Sequence, residues 1–223
     1  MTEQQVNRVA PSGAGSIGSE TIGSYLARLA SRQPTPGGGA AAALHAAQGA
    51  ALVAMVARYT TGPKYGEHAP LVERTTKVAD ELASEALRLA DSDEQVFQAV
   101  IDAYRLPADT EELKAARTSA IQAALVQAAQ TPAQLIKLAG AVVDLATGLA
   151  DVANPNVISD VAAAADAARA AATTARVNID INVVAIKDQS ARSLLKEQTD
   201  GIEEKVVTAA DALVARVRER ILQ

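Results

Sequence analysis

From Pro34 to Ala57 the chain carries no Asp, Glu, Lys or Arg, and this stretch opens on Pro34-Thr35-Pro36-Gly37-Gly38-Gly39 before settling into Ala, Leu, Val and Met. The apolar part has helix-forming composition, and a helix without a charged face must be covered on all sides, by other helices or by lipid. It is long enough to span a bilayer, but it is mostly alanine and contains His45, Gln48 and Gly49. We therefore expect a core helix and no membrane partner. At its start the prolines restrict the backbone and the glycines leave the first helical amides uncrowded. Those amides, at the positive end of the helix dipole, can receive a carboxylate, a phosphate or a polarised carbonyl. The alternative is that the glycines only let helix ends pack closely. No Gly-Lys-Ser/Thr follows, so the turn is not a phosphate-binding P-loop.

What surrounds such a helix is constrained by a shortage of aromatics: Tyr25, Tyr59, Tyr65, Tyr104 and Phe97 are all there are, in a chain that is 49% hydrophobic. The core must be built from Ala, Leu, Val and Ile, and no strand-like alternation stands out. We expect an all-α protein, a bundle of about seven helices, several of them long, packed up and down. Residues 1–18 read as a disordered tail and residues 19–223 as a single helical domain. The net charge of −5 and the lack of a basic cluster argue against a nucleic-acid partner. There is no Cys, and His45 and His68 stand alone, so neither a thiolate site nor a metal site is expected. No signal-peptide pattern is present, which predicts a cytoplasmic protein.

In chain order, Ser19 can cap a short helix with Ile22, Tyr25, Leu26 and Leu29 on one face, stopped by the Pro34 turn. After the central helix and a loop over Thr60–Ala69, the segment Pro70–Leu106 has the clearest periodicity, through Leu71, Thr75, Val78, Leu82, Leu89, Val96 and Val100. Asp93 falls on that seam, whereas Asp91 points roughly the opposite way. A carboxylate on a core face is poorly solvated and has a raised pKa, which is what a general acid/base needs. The alternative is a structural Asp, paired with an Arg or capping a helix. Next, Thr110 begins a helix with the stripe Leu113, Arg117, Ile121, Ala124 and Ala128. Arg117 can pair with Asp93, hold a substrate carboxylate, or snorkel to solvent. Thr131-Pro132 starts a fifth helix, and Ser159-Asp160 caps a sixth that continues to about Asp188. On the sixth, Asn178 and Asn182 share one face and need a hydrogen-bonding partner or a ligand. The last segment, Ser193–Ile221, carries Leu195, Ile202, Val206, Ala209, Leu213 and Val217 on one stripe. This stripe and the Pro70–Leu106 seam suggest a homodimer.

The order of these features resembles the cyclodeaminase/cyclohydrolase family, which includes the cyclodeaminase half of formimidoyltransferase-cyclodeaminase and the bacterial methenyltetrahydrofolate cyclohydrolases. The resemblance rests on Pro34 to Gly39, Asp91-Ser92-Asp93 with Phe97, Tyr104 to Pro107, Arg117 with Ala120-Ile121-Gln122, Pro132, Ser159-Asp160-Val161, and Val177-Asn178-Ile179 with Asn182 and Asp188. It implies an all-α, dimeric enzyme with no tightly bound cofactor and a tetrahydrofolate derivative as substrate. The reaction would lie at the carbon bridging N5 and N10, as cyclohydrolase or as cyclodeaminase, with Asp93 or Asp91 as acid/base. Pro36, Gly37, Gly38, Gly39, Asp160, Asn178 and Asn182 become candidates for substrate binding, and Arg117 for the glutamyl carboxylates. Ala40 stands where many members have Ser, and Glu94 where a small residue is usual. The competing hypothesis is a non-catalytic helical scaffold of the same fold that binds a ligand or a partner.

Overall fold

Alanine lets helix axes come closer than leucine does, and the centre of this molecule is built on that property. The structure is a computed structural model and describes residues 16–223. Among these residues there is no strand. The α-helices are α1 (Ile22–Leu29), α2 (Gly38–Tyr59), α3 (Ala69–Tyr104), α4 (Glu111–Ala128), α5 (Gln130–Ala150), α6 (Ile158–Ala185), α7 (Gln189–Thr199) and α8 (Ile202–Leu222). Short 3₁₀ turns lie at Ile17–Ser19, Pro63–His68 and Pro155–Val157. Only Ala129 separates α4 from α5. Asp200, in extended conformation, and Gly201 at φ 74° divide α7 from α8, where the sequence reading ran one helix through. Joining those two pairs leaves six rods, against about seven expected.

The uncharged helix α2 sits in the middle, packed against α3, α5 and α6. Ala40, Ala42, Ala43, Ala46, Ala50, Ala54 and Ala57 are fully or almost fully buried, as are Ala164, Ala165, Ala168, Ala171, Ala172 and Ala175 of α6. Where α2 and α6 meet, a Cβ on Gly49 would lie 3.0 Å from the Ala164 carbonyl oxygen and 3.2 Å from Val142 Cγ1. Gly49→Ala is therefore expected to lower stability by about 1–3 kcal/mol, reversing the usual helix gain of Gly to Ala, as urea unfolding would measure. Both α2 and the α4–α5 rod are long and apolar enough to cross a membrane, but the apolar stretch of α2 is mostly covered by its neighbours.

Larger side chains ring this alanine centre: Leu135, Ile136, Val142, Val143 and Leu149 on α5, Val53 and Val56 on α2, and Ile179 on α6. Leu195 of α7, with Val206, Leu213 and Val217 of α8, is buried too, and α8 packs on α6 and α5. The stripe assigned to a dimer contact is thus covered by the chain itself. The α3 seam is covered likewise, by α2, α4 and α5.

The N-terminal helix differs from expectation. Thr21, not Ser19, caps α1, its hydroxyl accepting from the Ser24 amide, while Ser19 ends a 3₁₀ turn. Tyr25 is buried and Leu29 packs on the core, but Ile22 and Leu26 are 81% and 54% exposed. Ile22/Leu26 and Tyr25/Leu29 are two adjacent i, i+4 rows, and so short a helix docks only one of them. The described chain begins inside the stretch assigned to the tail, with Ile17 buried. The expectation of disorder for residues 1–15 lies outside the described residues.

Candidate active site

The periodicity of α3 turns Ala86, Leu89, Ala90 and Val100 inward, and Asp93 continues that row toward the start of α2. Its carboxylate lies directly against Gly39: a Cβ there would come within 2.0 Å of Asp93 Oδ1 and 2.6 Å of Oδ2. The Ala40 amide donates to Asp93 Oδ2 at 3.0 Å. The uncapped start of α2 thus receives an anion, as its free amides favour, and the anion is the protein's own. Close packing and anion binding, the two readings of the glycine turn, hold together.

Burial dominates the electrostatics of Asp93. Desolvation pushes its carboxyl up to about 6, the Ala40 amide opposes the rise, and the neighbouring Glu94 charge adds to it. Such a group exchanges protons near neutral pH, as acid/base catalysis requires.

Two adjoining cavities open on Asp93. The first, of about 180 Å³, has apolar walls from Val96, Phe97, Val100, Leu125, Ala128, Pro132 and Ile181, with Asn178 and Asn182 as its other polar groups. The second, of about 160 Å³, is bounded by Pro34, Thr35, Gly37, Gly38, Gly39, Phe97 and Asn178. Asp93, Phe97 and Asn178 belong to both, and Asp93 is the only ionisable group among these residues. The Thr35–Pro36 peptide bond is cis. Ser92 and Thr131 hydroxyls lie 3.1 Å apart and join α3 to α5 just beside Pro132.

The structure brings some sequence candidates together and separates others. Asp93, Gly37, Gly38, Gly39, Asn178 and Asn182 meet at the cavities, and Pro36 lies within the same turn. The Asn182 amide donates to the Asn178 backbone carbonyl at 3.0 Å, so the two side chains do not bond each other. Asp91 faces away: it accepts from the Ser16 hydroxyl at 2.6 Å and the Ile17 amide at 2.7 Å, which fastens the N-terminal turn to α3. Arg117 makes no ion pair with Asp93, and its buried Nε has no hydrogen-bond partner among the described residues. Asp160 lies in the first turn of α6, eighteen residues before Asn178 and so about 27 Å away along the axis. Among the described residues no three His, Asp or Glu side chains cluster as a metal site would need.

Sequence reasoning had no means of naming the apolar walls. Ala128 reads as part of the α4 stripe and Leu125 falls outside it, and only the pairing of α4 with α3 and α6 turns both toward a cavity. Phe97 stood out only as part of a motif. Ile181 could be found as the residue beside Asn182, but nothing in the sequence gives its 62% exposure.

With this geometry in view, similar proteins are informative. The family model described as formiminotransferase-cyclodeaminase matches residues 21–201. A methenyltetrahydrofolate cyclohydrolase from Methylorubrum extorquens is 38% identical over 92% of this chain and 97% of its own length. The formimidoyltransferase-cyclodeaminase of Sus scrofa is 30% identical over 88% of this chain, which corresponds to 36% of that longer protein. A solved structure, the formiminotetrahydrofolate cyclodeaminase of Thermotoga maritima, superposes with a TM-score of 0.82 at 28% identity, covering 93% of this chain and all of that one. Its helical fold, the span of the family match and the identity to the cyclohydrolase agree, and the chain belongs to the formiminotransferase-cyclodeaminase family.

Proposed function

We propose that this protein is a folate one-carbon enzyme acting at the carbon that bridges N5 and N10 of tetrahydrofolate, and that it works as a methenyltetrahydrofolate cyclohydrolase with Asp93 as general acid/base. The observation that carries the reading is the Asp93 carboxyl, fixed on the Ala40 amide and opening on two cavities, where burial pushes it up to about 6. The cyclohydrolase direction is favoured by the 38% identity to a cyclohydrolase over nearly its whole length. Charge supports it as well, because the methenyl bridge is cationic and the cavity residues include a carboxyl and no cation.

In this mechanism a water oxygen bonds to the methenyl carbon while Asp93 takes one of its protons. Asp93 then returns a proton to N5 as the carbon–N5 bond breaks. The carbinol O–H becomes the carbonyl of 10-formyltetrahydrofolate, and its proton leaves to solvent, so one proton is released per turnover. One carboxyl with a pKa near neutrality performs both transfers. Asn178, present in both cavities, is the natural partner for the pteridine edge. The Gly38 and Gly39 amides, which have no hydrogen-bond partner among the described residues, are suited to a carbonyl or carboxylate of the substrate. Arg117 and Asp160 stand away from the cavity walls. A role for them requires the glutamyl end of a substrate that extends beyond the two cavities, or a second protomer.

The solved cyclodeaminase relative supports the second direction, in which N10 attacks a formimidoyl carbon and ammonia leaves. Absorbance assays with methenyltetrahydrofolate and formimidoyltetrahydrofolate side by side separate the two. We expect enzyme-dependent loss of methenyl absorbance above the uncatalysed rate. Formation of that absorbance from the formimidoyl substrate alone would reassign the chain as a cyclodeaminase, and neither signal would favour the scaffold.

We also propose that the enzyme is a cytoplasmic homodimer. Support comes from a row on α6, Val177, Ile181 and Val184, which is 58%, 62% and 81% exposed and flanks the cavity mouth with Phe97. An apolar row of this kind is typical of a contact surface. Sedimentation at micromolar concentration should give the dimer, and Ile181→Glu should shift it to monomer. A wild-type monomer would remove this part of the reading.

A further inference from the structure

Next to Asp93 in sequence are two carboxylates of α3 that do the same mechanical task. Asp91 holds Ser16 and Ile17. Three residues on, and so on nearly the same face of the helix, Glu94 binds the guanidinium of Arg28, whose Nη1 also lies 2.9 Å from Glu20 Oε1. The Glu94 side chain is only 15% exposed. Together these contacts clip residues 16–28 to α3 at the level of the catalytic candidate.

The surroundings of Asp93 are otherwise sparse in charge. On α3 its charged neighbours are Asp91 and Glu94. The N-terminal segment contributes Glu20, Tyr25 and Arg28. The α2 turn offers an amide and no titratable side chain before the exposed His45, and α4, α5 and α6 bring Leu125, Ala128, Pro132, Ile181 and the two Asn residues to the cavities. Tyr25 is buried, and its hydroxyl has no hydrogen-bond partner among the described residues.

We propose that Glu94 is a positioning residue for Asp93, keeping a fixed negative charge beside it, and that Arg28 holds that charge ionised and in place. The proposal rests on the reading of Asp93 as acid/base. A neighbouring anion makes the ionised form of Asp93 costlier, and partial burial limits the screening that would otherwise remove the effect. Burial pushes the Glu94 carboxyl upward and Arg28 opposes this, so the pair favours the ionised form of Glu94. The ion pair therefore sustains the anion rather than cancelling it, and it keeps the carboxylate out of the cavity.

The test is a ¹³C-carboxyl NMR titration of Asp93 in the full chain, with Glu94→Gln, Glu94→Asp and Arg28→Met, alongside kcat/KM against pH for methenyltetrahydrofolate. In Glu94→Gln the Asp93 midpoint should fall by about one pH unit, with the acidic limb of kcat/KM following it. Glu94→Asp should restore most of the difference. Arg28→Met should act in the same direction, with no further change when added to Glu94→Gln. If Glu94→Gln lowers Tm but leaves the Asp93 midpoint where it was, Glu94 only fastens the N-terminal segment and the proposal is overturned. Asp93→Asn, assayed in parallel, tests the underlying reading separately. Full turnover in that variant removes Asp93 from the chemistry, and with it any catalytic role for Glu94, even where the titration shift is present.

Discussion

Asp93→Asn is expected to lower turnover by about 10² to 10⁴ while leaving substrate binding largely intact, which is the usual scale for loss of a general acid/base. The substitution keeps size and shape, and an amide oxygen can still accept from the Ala40 N–H, so the geometry at the start of α2 is preserved. Stability should move the other way. The Asp93 pKa is raised in the folded state from 3.8 to about 6, so its contribution to stability is complete below about pH 4 and is lost as pH rises through 6. The Asn variant should therefore match the wild type at pH 4 and be more stable by about 1–3 kcal/mol at pH 8. Urea unfolding at the two pH values checks the sign. A variant that is less stable at pH 8 and fully active when folded would make Asp93 a structural acceptor for α2 and nothing more.

Gly39→Ala should be nearly as damaging by a purely steric route. A methyl group 2.0 Å from Asp93 Oδ1 cannot be accommodated where it stands, so either the carboxyl rotates away and the Ala40 amide loses its acceptor, or α2 and α3 move apart. Misplacement of a reacting group by an ångström can reduce rate by about 10², and we expect a loss of at least that order. The accompanying strain should lower stability by about 1–3 kcal/mol. Gly38→Ala is the control for the stability loss alone, since a Cβ there meets nothing closer than Thr174 Cγ2 at 3.9 Å. A double-mutant cycle sharpens the test: in an Asp93→Ala background, Gly39→Ala should cost little stability because the obstructing carboxyl is gone. Equal costs in both backgrounds would mean that the contact between Gly39 and Asp93 is not the reason for the glycine.

The all-α class, the central helix and the distinction between Asp93 and Asp91 were all legible in the sequence, because each depends on spacing along a single helix. Asp93 continues an inward row whereas Asp91, two residues earlier, turns out to Ser16 and Ile17. Contacts between helices were not legible. That Gly39 meets Asp93 requires knowing that α2 and α3 pair at that height, which neither segment states alone. The separation of Asp160 from Asn178 was available from residue count once α6 is taken as unbroken, since one helix cannot bring residues eighteen apart to a common point. Arg117 stands away from Asp93 for a different reason. Its spacing fits an inward stripe, but the first turns of α4 overhang the bundle, and Leu113, four residues before it, is itself exposed. The two apolar stripes linked to dimerisation were real, but a long helix can meet its partner inside the same chain, as α3 and α8 do here.

The alanine seam between α2 and α6 has a consequence for how the molecule moves. Alanine has no side-chain rotamers to lose on folding, so this contact forms without the ordering penalty that leucines would bring, and afterwards it has no rotamers through which to rearrange. Backbone lies against backbone at Gly49 and Ala164, and one end of the same rod carries the glycine turn. Amide hydrogens along this seam should exchange only when the whole bundle opens, whereas those of α1, with its exposed Ile22 and Leu26, should exchange through local fraying. The rigid partner of Asp93 is then the α2 turn, and whatever adjustment accompanies substrate entry falls to the N-terminal segment on the far side of α3.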